Sequence, residues 1–142
     1  MPTRTSSAVW EGDLKSGKGK MKLGSGAYEG SYSFQSRFEE GAGTNPEELA
    51  AAAHAGCFSM ALSHGLASAG YSPTRVSTSA KVHLEKKPEG FRIPLIELST
   101  EAVVPGIDER TFRDQAEAAK KGCPISNLFT GAEIRLTAKL LR

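Results

Sequence analysis

The chain has 142 residues, 39% of them apolar, enough to bury one core and too few for two ordinary domains. Its 18 lysines and arginines stand against 16 aspartates and glutamates, with both signs interspersed, so the formal charge of +2 implies no nucleic-acid partner. The N-terminal "MPTRTSSAVWEGDLKSGK" has no apolar leader segment, and no stretch approaches the roughly 18 uninterrupted apolar residues of a membrane span, so a cytoplasmic protein with no membrane partner is expected.

The first third reads as three short strands, "RTSSAVWEG", "KGKMKLG" and "GSYSFQSRF", divided by turn glycines at Gly12, Gly17, Gly24 and Gly26. The basic run holding Lys15, Lys18, Lys20 and Lys22 lacks the ending of a phosphate-cradling loop and reads as a solvated hairpin. At Asn45 the pattern changes. Asn45 can cap a helix, Pro46 suits its first turn and Glu48 completes a capping box, which predicts a helix over 46–69 ended by Gly70. Leu49, Ala52, Ala53, Phe58, Met60, Ala61, Leu62 and Leu66 spread around this helix, so burial on every side is expected, by the sheet or by another subunit.

Residues 74–86 and 90–104 alternate as a long hairpin turning at "KKPEG", with Val76, Ala80, Val82 and Leu84 on one face of its first strand. Pro94 removes a ladder donor from the second strand and predicts an edge or a bulge. A second helix is expected from Asp108 to Lys121, stopped by Gly122, then a short helix from Pro124 and a closing strand in "AEIRLTAKLL". The order β-β-β-α-β-β-α-α-β with short turns predicts an α+β fold: one antiparallel sheet with helices against it, in a single domain over 1–142.

Only two cysteines occur, Cys57 within the long helix and Cys123 between a glycine and a proline. In a reducing compartment two cysteines make a poor structural staple, and without clustered partners a poor zinc site, so no metal or cofactor is expected. Catalytic or redox use, or plain core packing, remains open. A reactive thiol needs a positive neighbour to ionise near neutral pH. Mid-helix, Cys57 gains little from the helix dipole, and His54 and His64 at i−3 and i+7 offer a His–Cys pair; histidines that merely satisfy themselves at a buried edge are the competing reading. Cys123 lies near helix-terminal amides, where a sulfur is easier to reach.

The segments "FQSRFEEGAGTNPEELAAAAHAGCFSMALS", "VPGID" and "KKGCPIS", with "WEGD" near the start, closely resemble the osmotically inducible protein C (OsmC) family along essentially the whole chain. Its sister group, the organic hydroperoxide resistance proteins, carries Gly-Tyr where Ala53 and His54 stand. The resemblance implies a thiol peroxidase that reduces organic hydroperoxides to alcohols, and an intertwined homodimer with its sites at the subunit interface. By motif, Cys57 is the peroxidatic thiol, Cys123 the resolving one, Arg37 the cation that polarises the reactive sulfur and Glu47 the carboxylate that holds that arginine. The expected partners are an organic hydroperoxide and an external dithiol reductant, lipoyl dithiols being those suggested for the sister group.

Arginine's fixed charge and planar fork suit Arg37 to stabilise a Cys57 thiolate while pairing with Glu47. Ten residues of continuous helix place Glu47 about 15 Å from Cys57 along the axis, too far to share one guanidinium within one chain. Either the helix breaks, or Arg37 and Glu47 of one subunit complete the Cys57/Cys123 site of the other. Phe58, Met60, Leu128 and Phe129 are candidates for an apolar substrate pocket or for ordinary core. The alternatives from other classes are a non-catalytic redox sensor and a stress binding protein with inert thiols.

Overall fold

The computed structural model describes residues 1–142, and its contacts form two compact units, Met1–Leu49 and Ala50–Arg142. The first unit is built from β1 (Ser6–Glu11), β2 (Lys18–Leu23) and β3 (Glu29–Tyr32), an antiparallel meander in the order β1-β2-β3. Alternation does not continue through Phe38. Residues Phe34–Phe38 form a short helix, α1, because Ser33 and Ser36 cap each other reciprocally, each side chain taking the other's backbone N–H. A Cβ on Gly19 would lie 2.6 Å from both the Trp10 and Tyr32 rings, so the bare backbone of β2 lets these aromatics close to 5.3 Å over it. No large apolar side chain of this unit is among the buried core residues, and Val9 and Leu14 stand more than half exposed.

The helix α2 (Pro46–Ser68) begins in the first unit and runs unbroken into the second. Asn45 Oδ1 accepts the Glu48 amide at 2.8 Å as expected, but Glu48 does not complete the box; its carboxylate takes the Thr44 hydroxyl instead, at 2.6 Å. At the far end Gly70 adopts φ +93°, and the Tyr71 amide returns to the Leu66 carbonyl, a C-terminal turn only glycine enters freely.

The second unit holds a sheet in the order β4-β5-β6, from β4 (Arg75–Lys87), β5 (Gly90–Val103) and β6 (Glu133–Leu141). Two features correct the expectation of one antiparallel sheet. There are two three-stranded sheets, and β6 pairs with β5 in parallel. The physical reason is the connection: α3 (Glu109–Gly122) and α4 (Pro124–Leu128) form a crossover long enough to return the chain in the same direction, which a tight turn cannot do. Pro94 falls in the register shift of the β4–β5 ladder, between the pairs Leu95↔His83 and Arg92↔Glu85, so its missing N–H interrupts no regular pairing.

The core of this unit joins Phe58, Leu62 and Leu66 from α2 with Leu98 and Ala102 from β5, Phe112, Ala116 and Ala119 from α3, and Leu140 from β6. The i, i+4 series His54, Phe58, Leu62, Leu66 makes the inner stripe of α2. Burial on every side is not what a single chain gives it: Ala52, Ala53, Gly56, Met60 and His64 remain exposed. Gly122 is the last residue of α3, where the stop was expected, and Cys123 after it is pushed to extended backbone (φ −60°, ψ 122°) by Pro124.

Candidate active site

The end of α3 and the start of α4 meet at one residue, so Cys123 is at once the C-cap of the first helix and the N-cap of the second. This corner points its sulfur into the core, fully buried, against α2. There it meets Cys57. The two thiols are free and lie 2.9 Å apart, Cys123 Sγ donating to Cys57 Sγ in the fully reduced pair. Cys57 is only partly buried, so of the two cysteines it is the less enclosed.

The electrostatics of the pair are unequal. Burial, then the neighbouring Cys123 thiol, pushes the Cys57 pKa above its ordinary value, against a smaller downward pull from the Ile125 amide. No cation is among the groups acting on it. Burial also raises Cys123, but a hydrogen bond from Cys57, once Cys123 is ionised, and the amide and hydroxyl of Ser126 outweigh that and hold it below the ordinary value.

His54 does not supply the missing charge. Its ring is engaged elsewhere: Nε2 lies 2.7 Å from Ser126 Oγ, Nδ1 has no partner, and the ring stands edge-on to Phe129 at 5.6 Å. The side chain is 0% exposed, and burial pushes its pKa down, favouring the neutral imidazole. His64 is exposed on the outer face of α2. The i−3 spacing placed His54 beside Cys57 on the helix surface, but the partner of its ring is chosen by α4, which the spacing does not contain.

In the first unit, Arg37 and Glu47 form a bidentate pair. Arg37 Nε donates to Glu47 Oε1 at 3.0 Å and Nη2 to Oε2 at 2.9 Å, with the guanidinium also 5.2 Å from the Phe38 ring. Glu47, at the N-terminal turn of α2, is almost fully buried and fixes the plane of the fork. Beside it, Trp10, Leu14, Tyr32, Phe34 and Phe38 line a cup of about 220 Å³ with Arg37 in its wall. The four sequence-selected residues thus form two pairs, each closed within its own unit.

Of the apolar pocket candidates, Phe58 is core at 0% exposure, whereas Met60 and Leu128 are largely exposed. Leu128 and Phe129 line a groove of about 550 Å³ with Val82, Ile93, Ile96 and Arg92. Ser126 was not singled out from the sequence, although a hydroxyl three residues after Cys123, in the first turn of a helix, is a position from which a side chain reaches back to the cap. No group of three or more His, Cys, Asp or Glu side chains is placed to hold a metal ion, and no helix is long and apolar enough to cross a membrane.

Comparison with known proteins places this geometry in context. Residues 39–139 match the family model described as OsmC-like protein. Over 134 residues the chain is 51% identical to the peroxiredoxin OsmC of Escherichia coli strain K12, covering 94% of this chain and 93% of that protein. It is 37% identical over 92 residues to an organic hydroperoxide resistance protein of Xanthomonas axonopodis pv. citri, covering 64% of this chain and 63% of that protein. The crystal structure of an organic hydroperoxide resistance protein OsmC from Legionella pneumophila superposes with a TM-score of 0.72 at 27% identity, covering 95% of this chain and 96% of that one.

Proposed function

Because the chain belongs to the OsmC-like protein family, we propose that it is a cysteine-based peroxidase reducing organic hydroperoxides, with Cys57 as peroxidatic and Cys123 as resolving thiol. The observation that carries this reading is the pair of free sulfurs 2.9 Å apart, one partly open and one buried. The Cys57 thiolate attacks the outer peroxide oxygen, the O–O bond breaks, the alkoxide takes a proton to leave as an alcohol, and Cys57 becomes a sulfenic acid. Cys123 then displaces that oxygen as water, giving a disulfide and ending the exposure of Cys57 to further oxidation. An external dithiol resets the pair; lipoyl dithiols are the candidates.

Cys57 needs a cation to ionise ahead of Cys123, and the groups acting on it include none. Arg37, held in a bidentate fork by Glu47, is the cation this reading assigns to it. Helix α2 is unbroken, and the rise from Glu47 to Cys57 is about 15 Å. The reading therefore takes Arg37 and Glu47 from the second subunit of a homodimer. Two features favour a dimer: the exposed small and apolar face of α2, and a first unit without a buried apolar core. The protein acts in stress defence as a homodimer, in the cytoplasm, using no metal or other cofactor.

The test is to treat the reduced protein with one equivalent of an alkyl hydroperoxide and map the thiols by mass spectrometry. A Cys57–Cys123 disulfide is expected, with sulfenic or higher acids on Cys57 in the Cys123→Ser variant and no reaction in Cys57→Ser. Two unchanged thiols would end the peroxidase reading in favour of a binding protein. A single oxidation that no dithiol can recycle would point to a sensor.

A further inference from the structure

The first unit has no buried aromatic core, yet four of its aromatic side chains gather around Arg37. Trp10 packs on Tyr32 with ring centroids 5.3 Å apart and planes tilted by 55°, and Phe34 packs on Phe38 at 4.9 Å and 47°. Tilted pairs of this kind are favoured aromatic contacts. With Leu14, the two pairs wall the cup of about 220 Å³ described above, and the Arg37 guanidinium lies 5.2 Å from the Phe38 ring.

These walls are held by bonds within the unit. Trp10 Nε1 donates to the Asp13 carbonyl at 3.2 Å, and Asp13 Oδ1 accepts the Ser16 amide at 2.8 Å, which fixes the β1–β2 turn that carries Leu14. Gln35 Nε2 donates to the Lys15 carbonyl at 3.3 Å and ties α1 to the same turn. A cup set before binding costs little ordering entropy when it is filled. Its rings are only half-buried, so apolar area remains for a ligand to cover.

Size and lining select the occupant. An apolar cavity of about 150 Å³ takes a benzene ring. The cup, at about 220 Å³, therefore has room for one ring with a small branch, and a long acyl chain outruns it. Arg37 and Ser33 are its polar members, so the fitting ligand has an apolar body and an oxygen at one end.

We propose that this cup binds the organic group of the hydroperoxide, and that Trp10, Leu14, Tyr32, Phe34 and Phe38 select a compact, ring-bearing group such as cumyl over a long acyl chain. This rests on the assignment of Arg37 to the reacting site made above. The fork fixed by Glu47 then meets the peroxide oxygens, while the aromatic walls beside it take the ring. One short segment of the chain holds both ends of the substrate.

Trp10 is the single tryptophan of the chain, so its emission reports on the cup directly. The experiment titrates the reduced protein with cumyl alcohol, the product that cumene hydroperoxide leaves. Expected is a saturable change in Trp10 emission, with binding weakened roughly two- to tenfold in Phe34→Ala, which loses one aromatic contact. Leu14→Gln replaces a side chain that is 56% exposed, so it should fold as the wild type does, and it should weaken binding in the same direction. In parallel, the second-order rate of Cys57 oxidation by cumene hydroperoxide should fall by the same factor in both variants. The rate with tert-butyl hydroperoxide, too small to fill the cup, should hardly change.

The titration needs no peroxide chemistry: binding without reaction at Cys57 would retain the cup as a site and end the peroxidase reading. No saturable change in the wild type, the result also expected if a second subunit fills the cup, would overturn the proposal. So would wild-type affinity in both variants, or a wild type that reacts faster with a long-chain acyl hydroperoxide than with cumene hydroperoxide. An equal rate loss with both small peroxides would overturn it too, since the variants would then disturb Arg37 and not recognition of the ring.

Discussion

Cys57 and Cys123, 66 residues apart in sequence, hold their sulfurs 2.9 Å apart in the reduced protein, within about 1 Å of a disulfide bond length. A pair so placed needs little backbone movement to close. We therefore expect Cys123→Ser to undergo its first oxidation at the wild-type rate and then fail to recycle. Sulfinic acid should accumulate on Cys57 over successive additions of hydroperoxide, read by mass spectrometry, whereas the wild type should stay at the disulfide.

The bidentate Arg37–Glu47 pair is expected to matter through geometry as well as charge. Arg37→Lys keeps the charge and loses the fork, and should lower the rate of Cys57 oxidation about a hundredfold. Glu47→Gln leaves the cation but loosens its aim, and should cost roughly tenfold to a hundredfold. Both are measured as second-order rate constants with one alkyl hydroperoxide. A wild-type rate in Arg37→Lys would remove Arg37 from the site.

Met60 stands 76% exposed at the centre of the open face of α2. If that face is the subunit contact, Met60→Glu buries a charge and should shift the protein from dimer to monomer by light scattering, with loss of Cys57 reactivity in step. A dimeric, active Met60→Glu variant would place the interface elsewhere.

His54 predicts how stability depends on acid. Its folded pKa lies below the ordinary 6.5 because burial disfavours the charged ring. Below 6.5 the unfolded chain takes up a proton that the folded chain does not, so stability should fall as pH drops from about 6.5 through the lower folded value. The lowered carboxylates Asp13 and Asp108, held down mainly by hydrogen bonds from Ser16 and Thr111, act in a separate window below the ordinary Asp value. Urea midpoints at pH 7.5 and 5.5 should therefore differ in the wild type, and the difference should shrink in His54→Gln.

Much of the chain from Asn45 onward could be read locally. Asn45, Pro46 and Gly70 bound α2 by chemistry that operates within a turn, and alternation marks β6 because one face of it is buried. The errors arise where side-chain capping or a distant partner decides. Phe34 and Phe38 suit a strand or a helix equally, and only the reciprocal Ser33–Ser36 capping selects the helix. The direction of β6 depends on how α3 and α4 pack, which no strand pattern contains. At the site, spacing alone left Cys57 between reactive thiol and core filler, and His54 between a partner for Cys57 and a histidine satisfied at a buried edge; the bond to Ser126 agrees with the second. The proposed roles of Arg37, Glu47 and both cysteines came from family likeness. Ser126 is visible only once α4 lies against α2.

The parallel pairing of β6 with β5 bears on how the chain reaches this state. Cys123 sits on the crossover between those strands, and the crossover is pinned at its far end only when the nine residues of β6 add to the sheet edge. During synthesis both thiols precede that strand, which begins ten residues after Cys123. Non-local pairing of this kind forms late, since the loop must be closed before any ladder bond repays its entropy. The nascent protein should thus pass through an interval in which Cys57 and Cys123 are present but unregistered. Competence to make the disulfide would then be a late property of folding, acquired as β6 docks.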